Sequence, residues 1–417
     1  MVNRLRIRAG GVVLAVSIVG LGLSGCAGSA AGAPPTPSAS GASAPFHVAG
    51  NKVVGANGQQ FVEYGFVTYC LVHPSLDGCT PATLGGPSPD LDRIRAAATF
   101  WHANADRIQV AQEYLFDKAP YDSAYLAELD AQVHLADSLG MVPIVTLQEE
   151  PFKDQGPPLP TESAVRFWTF VADHYKNDPM VMFDLYNEPH LKAFHGTDWL
   201  WNIWRNGGTV DEAGPPAVHQ TFVGDQALVD DIRAAGAANV IVAEGNQTDH
   251  DLSEIPKYAL SGSNVAYGME PGLRPGSDDT PARWAANWGT LSDSVPIMME
   301  AWKGWPGAKD CNPNAPTLLP QEMDYLASKH LGMLVWSLQG GDIVVGSNLE
   351  QPTSYSGAAT QPCTNPPPGQ ARHGDHPGGA QHATTPPPKT VGPGELILRF
   401  FTTNSHPTPV TSAGEHR

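Results

Sequence analysis

From Phe61 onward, short apolar runs of strand length alternate with stretches whose apolar residues recur at helical steps. That alternation is the signature of βα units laid into a parallel sheet. Eight runs have strand character: Phe61–Thr68, Ala105–Ala111, Met141–Gln148, Val181–Glu188, Asn239–Gly245, Asn264–Pro271, Pro296–Trp302 and Gly332–Gln339. Helical patterns fall between most of them, most clearly at Leu91–His102 and Tyr125–Leu139, where apolar residues return every three or four positions. Leu139-Gly140 and Leu331-Gly332 put glycine where a helix should end before the next strand. Eight parallel strands are most economically closed as a (β/α)8 barrel, which carries its chemistry at the C-terminal strand ends.

The 417 residues suffice for one such barrel with insertions, and 41% hydrophobic residues suffice for its core. Met1 to Gly25 has a basic start and an apolar run from Gly10 to Leu23, then Leu23-Ser24-Gly25-Cys26. This pattern predicts a bacterial lipoprotein signal with lipid on Cys26; an ordinary secretory signal is the alternative. Residues 26–45, rich in Pro, Ala, Gly and Ser and free of charge, read as a tether between membrane and domain. The domain itself then runs from 46 to 417 and touches the membrane only through that anchor. Without Arg4, Arg6 and Arg8 of the leader, the 24 basic residues become 21 against 42 acidic ones, a net −21. Such a charge argues against nucleic acid or an anionic membrane surface as a partner. Four cysteines remain after Cys26, an even number that predicts two disulfides in an exported chain. Of the three pairings, Cys70–Cys79 and Cys311–Cys363 are the expected ones, since each ties down loops.

Two strands end alike. Val181-Met182-Phe183-Asp184-Leu185-Tyr186-Asn187-Glu188 is an apolar run stopped by Pro189, which places Glu188 where strand gives way to loop. Val295-Pro296-Ile297-Met298-Met299-Glu300-Ala301-Trp302 opens on a proline and closes on a second glutamate. One glutamate before a proline could be a cap, and one at a strand end could be a salt bridge. Both together in this order resemble the acid/base and nucleophile strands of retaining glycoside hydrolases of clan A, especially glycoside hydrolase family 5. Such enzymes hold two carboxylates about 5–5.5 Å apart, one protonating the leaving oxygen and one attacking the anomeric carbon.

The resemblance implies a monomeric enzyme with Glu188 as acid/base and Glu300 as nucleophile, acting on an oligo- or polysaccharide or other β-glycoside without a cofactor or metal. It makes Arg107, in Ala103-Asn104-Ala105-Asp106-Arg107-Ile108, the residue that holds and ionises Glu300, with Glu188 raised by burial. Asn187 corresponds to the asparagine bonded to the sugar 2-OH. Trp336 is the floor under the sugar, and Trp302 is the aromatic that follows the nucleophile. The Phe46–Gln60 hairpin, with Asn57-Gly58 as its turn, is implied to plug the barrel bottom.

Two departures stand out: Gln148 replaces a histidine after strand three, and Glu270-Pro271-Gly272 replaces His-x-Tyr after strand six. Both Gln148 and Glu270 are therefore expected at the substrate. Glu270 with Glu113, Glu149, Glu150 and Asp342 would form an acidic rim, either simply solvated or able to raise one another's pKa, hold a cation or favour a cationic sugar. A non-catalytic glycan-binding barrel is the competing reading. A metal-dependent barrel hydrolase is third, because Val67-Thr68-Tyr69 stands where such enzymes carry His-x-His. The Trp-bearing stretch from Lys192 to Pro216 and the Pro/Gly-rich 349–393, with His373, His376 and His382, read as insertions before a last helix near Glu395–Thr403.

Overall fold

The computed structural model describes residues 46–55, 57–72, 89–117, 123–150, 156–214, 217–303, 312–339, 342–355 and 390–405. The expectations for the leader, Cys26, the tether, Cys79, Cys311, Cys363 and most of the 349–393 insertion lie outside these residues. Among the described residues, no helix is long and apolar enough to cross a membrane.

The principal sheet is wholly parallel and runs, in chain order, through Tyr64–Thr68, Ala105–Ala111, Val142–Glu149, Met182–Asp184, Ile241–Glu244, Val265–Met269, Ile297–Met299 with Ala301–Trp302, and Met333–Val335. The two edges of the sheet order are Ile297–Met299 and Ala301–Trp302, halves of one strand interrupted at Glu300. The sheet therefore closes on itself as the (β/α)8 barrel expected from the alternation. Helices Pro89–Thr99, Ser123–Ser138, Glu162–Tyr175, Asp225–Ala234 and Ala315–Ser328 pack outside it. Every strand residue of Tyr64–Thr68 and Ala105–Ala111 is buried, because one face meets the barrel interior and the other meets helices.

A hairpin of His47–Ala49 and Lys52–Val54 precedes the first strand. It turns at Gly50, whose φ of 64° is left-handed, rather than at Asn57-Gly58; Gly58, φ 74°, serves the next turn instead. Phe46, Val53 and Phe61 pack with Ala105, Val142, Ile144, Met182, Val240, Val242, Ala266, Met298 and Leu334. These are bottom-layer residues of the strands, so the hairpin does plug the barrel.

Gly140 ends its helix with φ 76°, as expected. Gly332 has another reason to be glycine. The left-handed residue after helix Ala315–Ser328 is His330, φ 55°, whereas a Cβ on Gly332 would stand 1.7 Å from the Glu63 carbonyl oxygen. Close approach of two strands, rather than helix termination, fixes that position.

The Trp-bearing insertion is ordered core. Helix Thr197–Asn206 buries Trp201 and Trp204 completely and leads into a hairpin of Gly208–Glu212 and Val218–Phe222. The last helix among the described residues is Gly394–Asn404, and its Phe400 and Phe401 pack edge-on against Tyr64.

Candidate active site

Strand four stops pairing at Asp184, four residues before Glu188, but ladder-like bonds continue: Leu185 N donates to Val242 O and Asn187 N to Leu147 O. Glu188 then turns the chain with φ 50°, an uncommon conformation for a non-glycine residue and costlier still before proline. Its backbone N–H donates to Glu244 Oε2 at 2.6 Å, which fixes the turn. Its side chain remains about a third exposed (34%), whereas Glu300 is wholly buried. One carboxyl group is at the mouth and the other in the wall.

Glu300 sits where strand seven breaks. Its N–H donates to Met269 O, and Gly268 leaves the space that Glu244 and Glu300 share. Arg107, fully buried on strand two, reaches across the barrel interior to the carboxylates. Nε lies 2.8 Å from Asp184 Oδ2 and 2.7 Å from Glu300 Oε2; Nη2 bonds Asp184, Asn187 and Glu244; Nη1 is 3.9 Å from Glu270. The expected Arg107–Glu300 pairing is present but shared, since the Nε–H is directed to Asp184.

Burial and the neighbouring acids oppose the expected ionisation of Glu300. Burial, Asp184, Glu63 and Glu270 together outweigh Arg107 and push the Glu300 carboxyl well above the usual carboxylate range. For Glu188, burial again pushes upward, but the charge and hydrogen bond of Lys303 and a hydrogen bond with Glu270 outweigh it and hold the group low. Glu270 carries the complementary effect: burial and the Glu188 charge push it up to about 7 against the pull of Lys303 and Arg107.

Lys303 Nζ lies 2.9 Å from Glu188 Oε1 and 3.4 Å from Glu270 Oε2. Its backbone is fixed by pairing with Gly272 across the ends of strands six and seven, where a side chain on residue 272 would crowd Lys303 O at 2.9 Å. The ammonium stands over the Trp336 ring, 5.3 Å from its centroid, and Tyr69 stacks on that ring at 5.2 Å. Arg93 lies over Tyr69 in turn and is tied to Asp90 and Gln339. Trp336 is thus a partly exposed aromatic surface on a braced support.

Not every expected site residue reaches the mouth. Trp302 is fully buried and donates from Nε1 to Glu322 Oε2 at 2.8 Å, so it joins the barrel to helix Ala315–Ser328 instead of facing a sugar. Glu150 accepts from the Thr161 N–H and hydroxyl and braces the start of helix Glu162–Tyr175. Gln148 is half-buried on strand three with Oε1 shielded and unbonded. Among the described residues, no group of three or more His, Cys, Asp or Glu is placed to hold a metal ion. Of the expected acidic rim, Glu270 joins the ion-pair cluster with Lys303 and Arg107.

Several members escaped the sequence reading: Asp184, Glu244, Asp249, His250, Glu63 and Lys303. Asp184 and Glu244 carried a signal, as acids within or ending strands that otherwise read apolar. Asp249 and His250 follow a turn in which Gln247, Thr248 and Asp249 all have φ near 58°. No propensity predicts three consecutive left-handed residues.

The profile of Cellulase (glycosyl hydrolase family 5) matches residues 56–342, which contain every strand of the barrel and both glutamates. The chain belongs to glycosyl hydrolase family 5. It is a glycosidase by that membership. A β-glucanase from Saccharophagus degradans in complex with cellotetraose is 18% identical, with TM-score 0.56, covering 74% of this chain and 89% of that one. A mannanase catalytic domain from Streptomyces sp. SirexAA-E is 14% identical, with TM-score 0.53, covering 78% and 91%. The endoglucanase catalytic domain from Thermobifida fusca in complex with cellotetraose is 12% identical, with TM-score 0.54, covering 86% and 98%. These identities show a shared fold. No curated protein sequence matches the chain.

Proposed function

We propose that this family 5 glycosidase hydrolyses a β-linked glucan, mannan or related β-glycoside with retention of configuration, with Glu300 as nucleophile and Glu188 as acid/base. The observation that carries this reading is the meeting of two glutamates, from the ends of strands four and seven, in one charge cluster around Arg107 beside the Trp336 ring. Glu300, in the wall, attacks as the carboxylate and forms a glycosyl ester, Arg107 being the charge that opposes its burial and favours that form. Glu188, at the mouth, is placed to protonate the departing oxygen and then to take a proton from the attacking water. Asn187 is oriented by Arg107 Nη2 and Gln109 Nε2, which both donate to its Oδ1, leaving its amide N–H groups for a sugar hydroxyl. Gluco- and manno-configured substrates are both named for similar folds, which supports the substrate class and not the choice within it.

Export with lipid on Cys26 and disulfides Cys70–Cys79 and Cys311–Cys363 belong to the same proposal, supported by the leader pattern and the even cysteine count. Proton NMR of an aryl β-cellobioside and an aryl β-mannobioside during hydrolysis tests the mechanism. Retention predicts that the β-anomer of the released sugar appears first and mutarotates later. Initial appearance of the α-anomer would overturn the double displacement.

A further inference from the structure

We infer that Lys303 and Glu270 together set the protonation state of Glu188, Lys303 as the counter-charge that keeps it ionised and Glu270 as the neighbour that keeps the proton. The inference rests on Glu188 being the acid/base, and it assigns the role left open where this chain lacks the family-like His-x-Tyr.

The geometry is specific. Lys303 Nζ bridges the two carboxyl groups at 2.9 and 3.4 Å, and its backbone is anchored by the Gly272 pairing. Glu270 is almost wholly buried, and its carboxyl group lies between Lys303 Nζ at 3.4 Å and Arg107 Nη1 at 3.9 Å. Glu188 is the exposed member of the pair. Two carboxyl groups sharing one hydrogen bond cannot both ionise cheaply, so the more buried one retains the proton. Burial accordingly pushes Glu270 up to about 7 while Glu188 stays low.

The other groups around Glu188 do not substitute for this pair. Glu244, from strand five, holds the Glu188 N–H and not its carboxyl group. His250, after strand five, is driven down to about 4 by burial, with Arg274 and Lys303 adding to it, and is neutral at working pH. Arg107, from strand two, is engaged with Asp184, Glu244 and Glu300. His190 reaches only the Glu188 carbonyl oxygen.

The catalytic cycle then has a definite proton path. Glycoside entry over Trp336 displaces the Lys303 ammonium from above the ring and from Glu188. With its counter-charge gone, Glu188 takes the proton from Glu270 and passes it to the leaving oxygen. Glu270 is left ionised and pairs with Lys303. No co-reactant is needed: Glu300 attacks as the carboxylate that Arg107 favours, and the proton given to the leaving oxygen is replaced, through Glu188, by the one released from the water that cleaves the ester.

The test is the alkaline limb of kcat/KM, which reports the acid of the free enzyme. It is measured with a nitrophenyl β-cellobioside, or the mannobioside if that is the one turned over. Lys303→Met should move this limb upward by roughly one pH unit or more, because a neighbouring cation no longer favours the ionised form. Glu270→Gln should move it downward, because its amide donates to Glu188 at every pH and carries no opposing charge. Thermal melts confirm that each variant is folded. Profiles that superimpose on wild type, or that shift in the same direction, overturn the inference. Glu188→Ala with added azide runs in parallel. Azide rescue without limb shifts would sink this inference alone, whereas no rescue would sink the acid/base assignment itself.

Discussion

Glu63, beneath the active site, makes pH-dependent stability calculable. It is 2% exposed, its Oε1 accepts the Met299 N–H at 2.6 Å, and burial pushes its pKa from 4.5 to about 7. Between those values the folded protein keeps a proton that the unfolded chain has lost, so stability falls as pH rises through the window and levels off above about 7. At ~1.4 kcal/mol per tenfold change in proton affinity, the loss is about 3 kcal/mol. Glu63→Gln keeps the acceptor for Met299 and cannot ionise. Urea unfolding of both proteins from about pH 4 to about pH 8 should show the variant gaining about 3 kcal/mol on wild type across the range. Stability curves that stay parallel within about 0.5 kcal/mol would show that Glu63 does not keep its proton on folding, and would refute the reasoning.

Gly332→Ala should cost about 3 kcal/mol or more, because the new methyl group meets the Glu63 carbonyl oxygen; a melting temperature near wild type would contradict the close approach. Trp302→Phe leaves buried Glu322 without its donor and should cost about 1–3 kcal/mol while KM stays unchanged, since the indole faces the helix; a large KM effect would return Trp302 to the substrate site. Cys26→Ser should release the protein from membranes with its catalytic constants intact, and persistent membrane association would refute lipid anchoring through that thiol.

The barrel was legible because each strand is a short run with both faces buried, and such runs stand out between helical periods. Ala105–Ala111 appears at the bounds its sequence suggests. Strand four was over-read by four residues, because Leu185 and Tyr186 continue the buried run and the Leu185 and Asn187 N–H groups stay hydrogen-bonded after regular pairing ends. Glu188, Asn187, Glu300 and Trp336 could be picked out by their places at strand endings, and Arg107 by the resemblance of its segment on strand two. Their proton affinities were not legible. Those depend on Asp184, Glu244 and Glu270 converging on one guanidinium, and on Lys303 reaching back over Trp336. The partners lie 77 and 137 residues from Arg107, and 115 residues separate Lys303 from Glu188. Lys303 gave no signal, since a lysine beyond a strand end is ordinarily a solvated side chain. Trp302 misled for the converse reason, because an aromatic after the nucleophile looks the same whether it faces cleft or helix.

The most direct test of the account is covalent trapping. An activated β-glycoside carrying fluorine beside the anomeric carbon slows both steps, and its good leaving group lets the first step proceed, so the glycosyl ester accumulates. Mass spectrometry of a peptic digest should then show one sugar on the peptide containing Glu300, and none on Glu188, Glu244 or Glu270. Label on a different carboxylate, or continued turnover of a natural β-glycan with no label at all, would contradict the assignment of Glu300 as nucleophile.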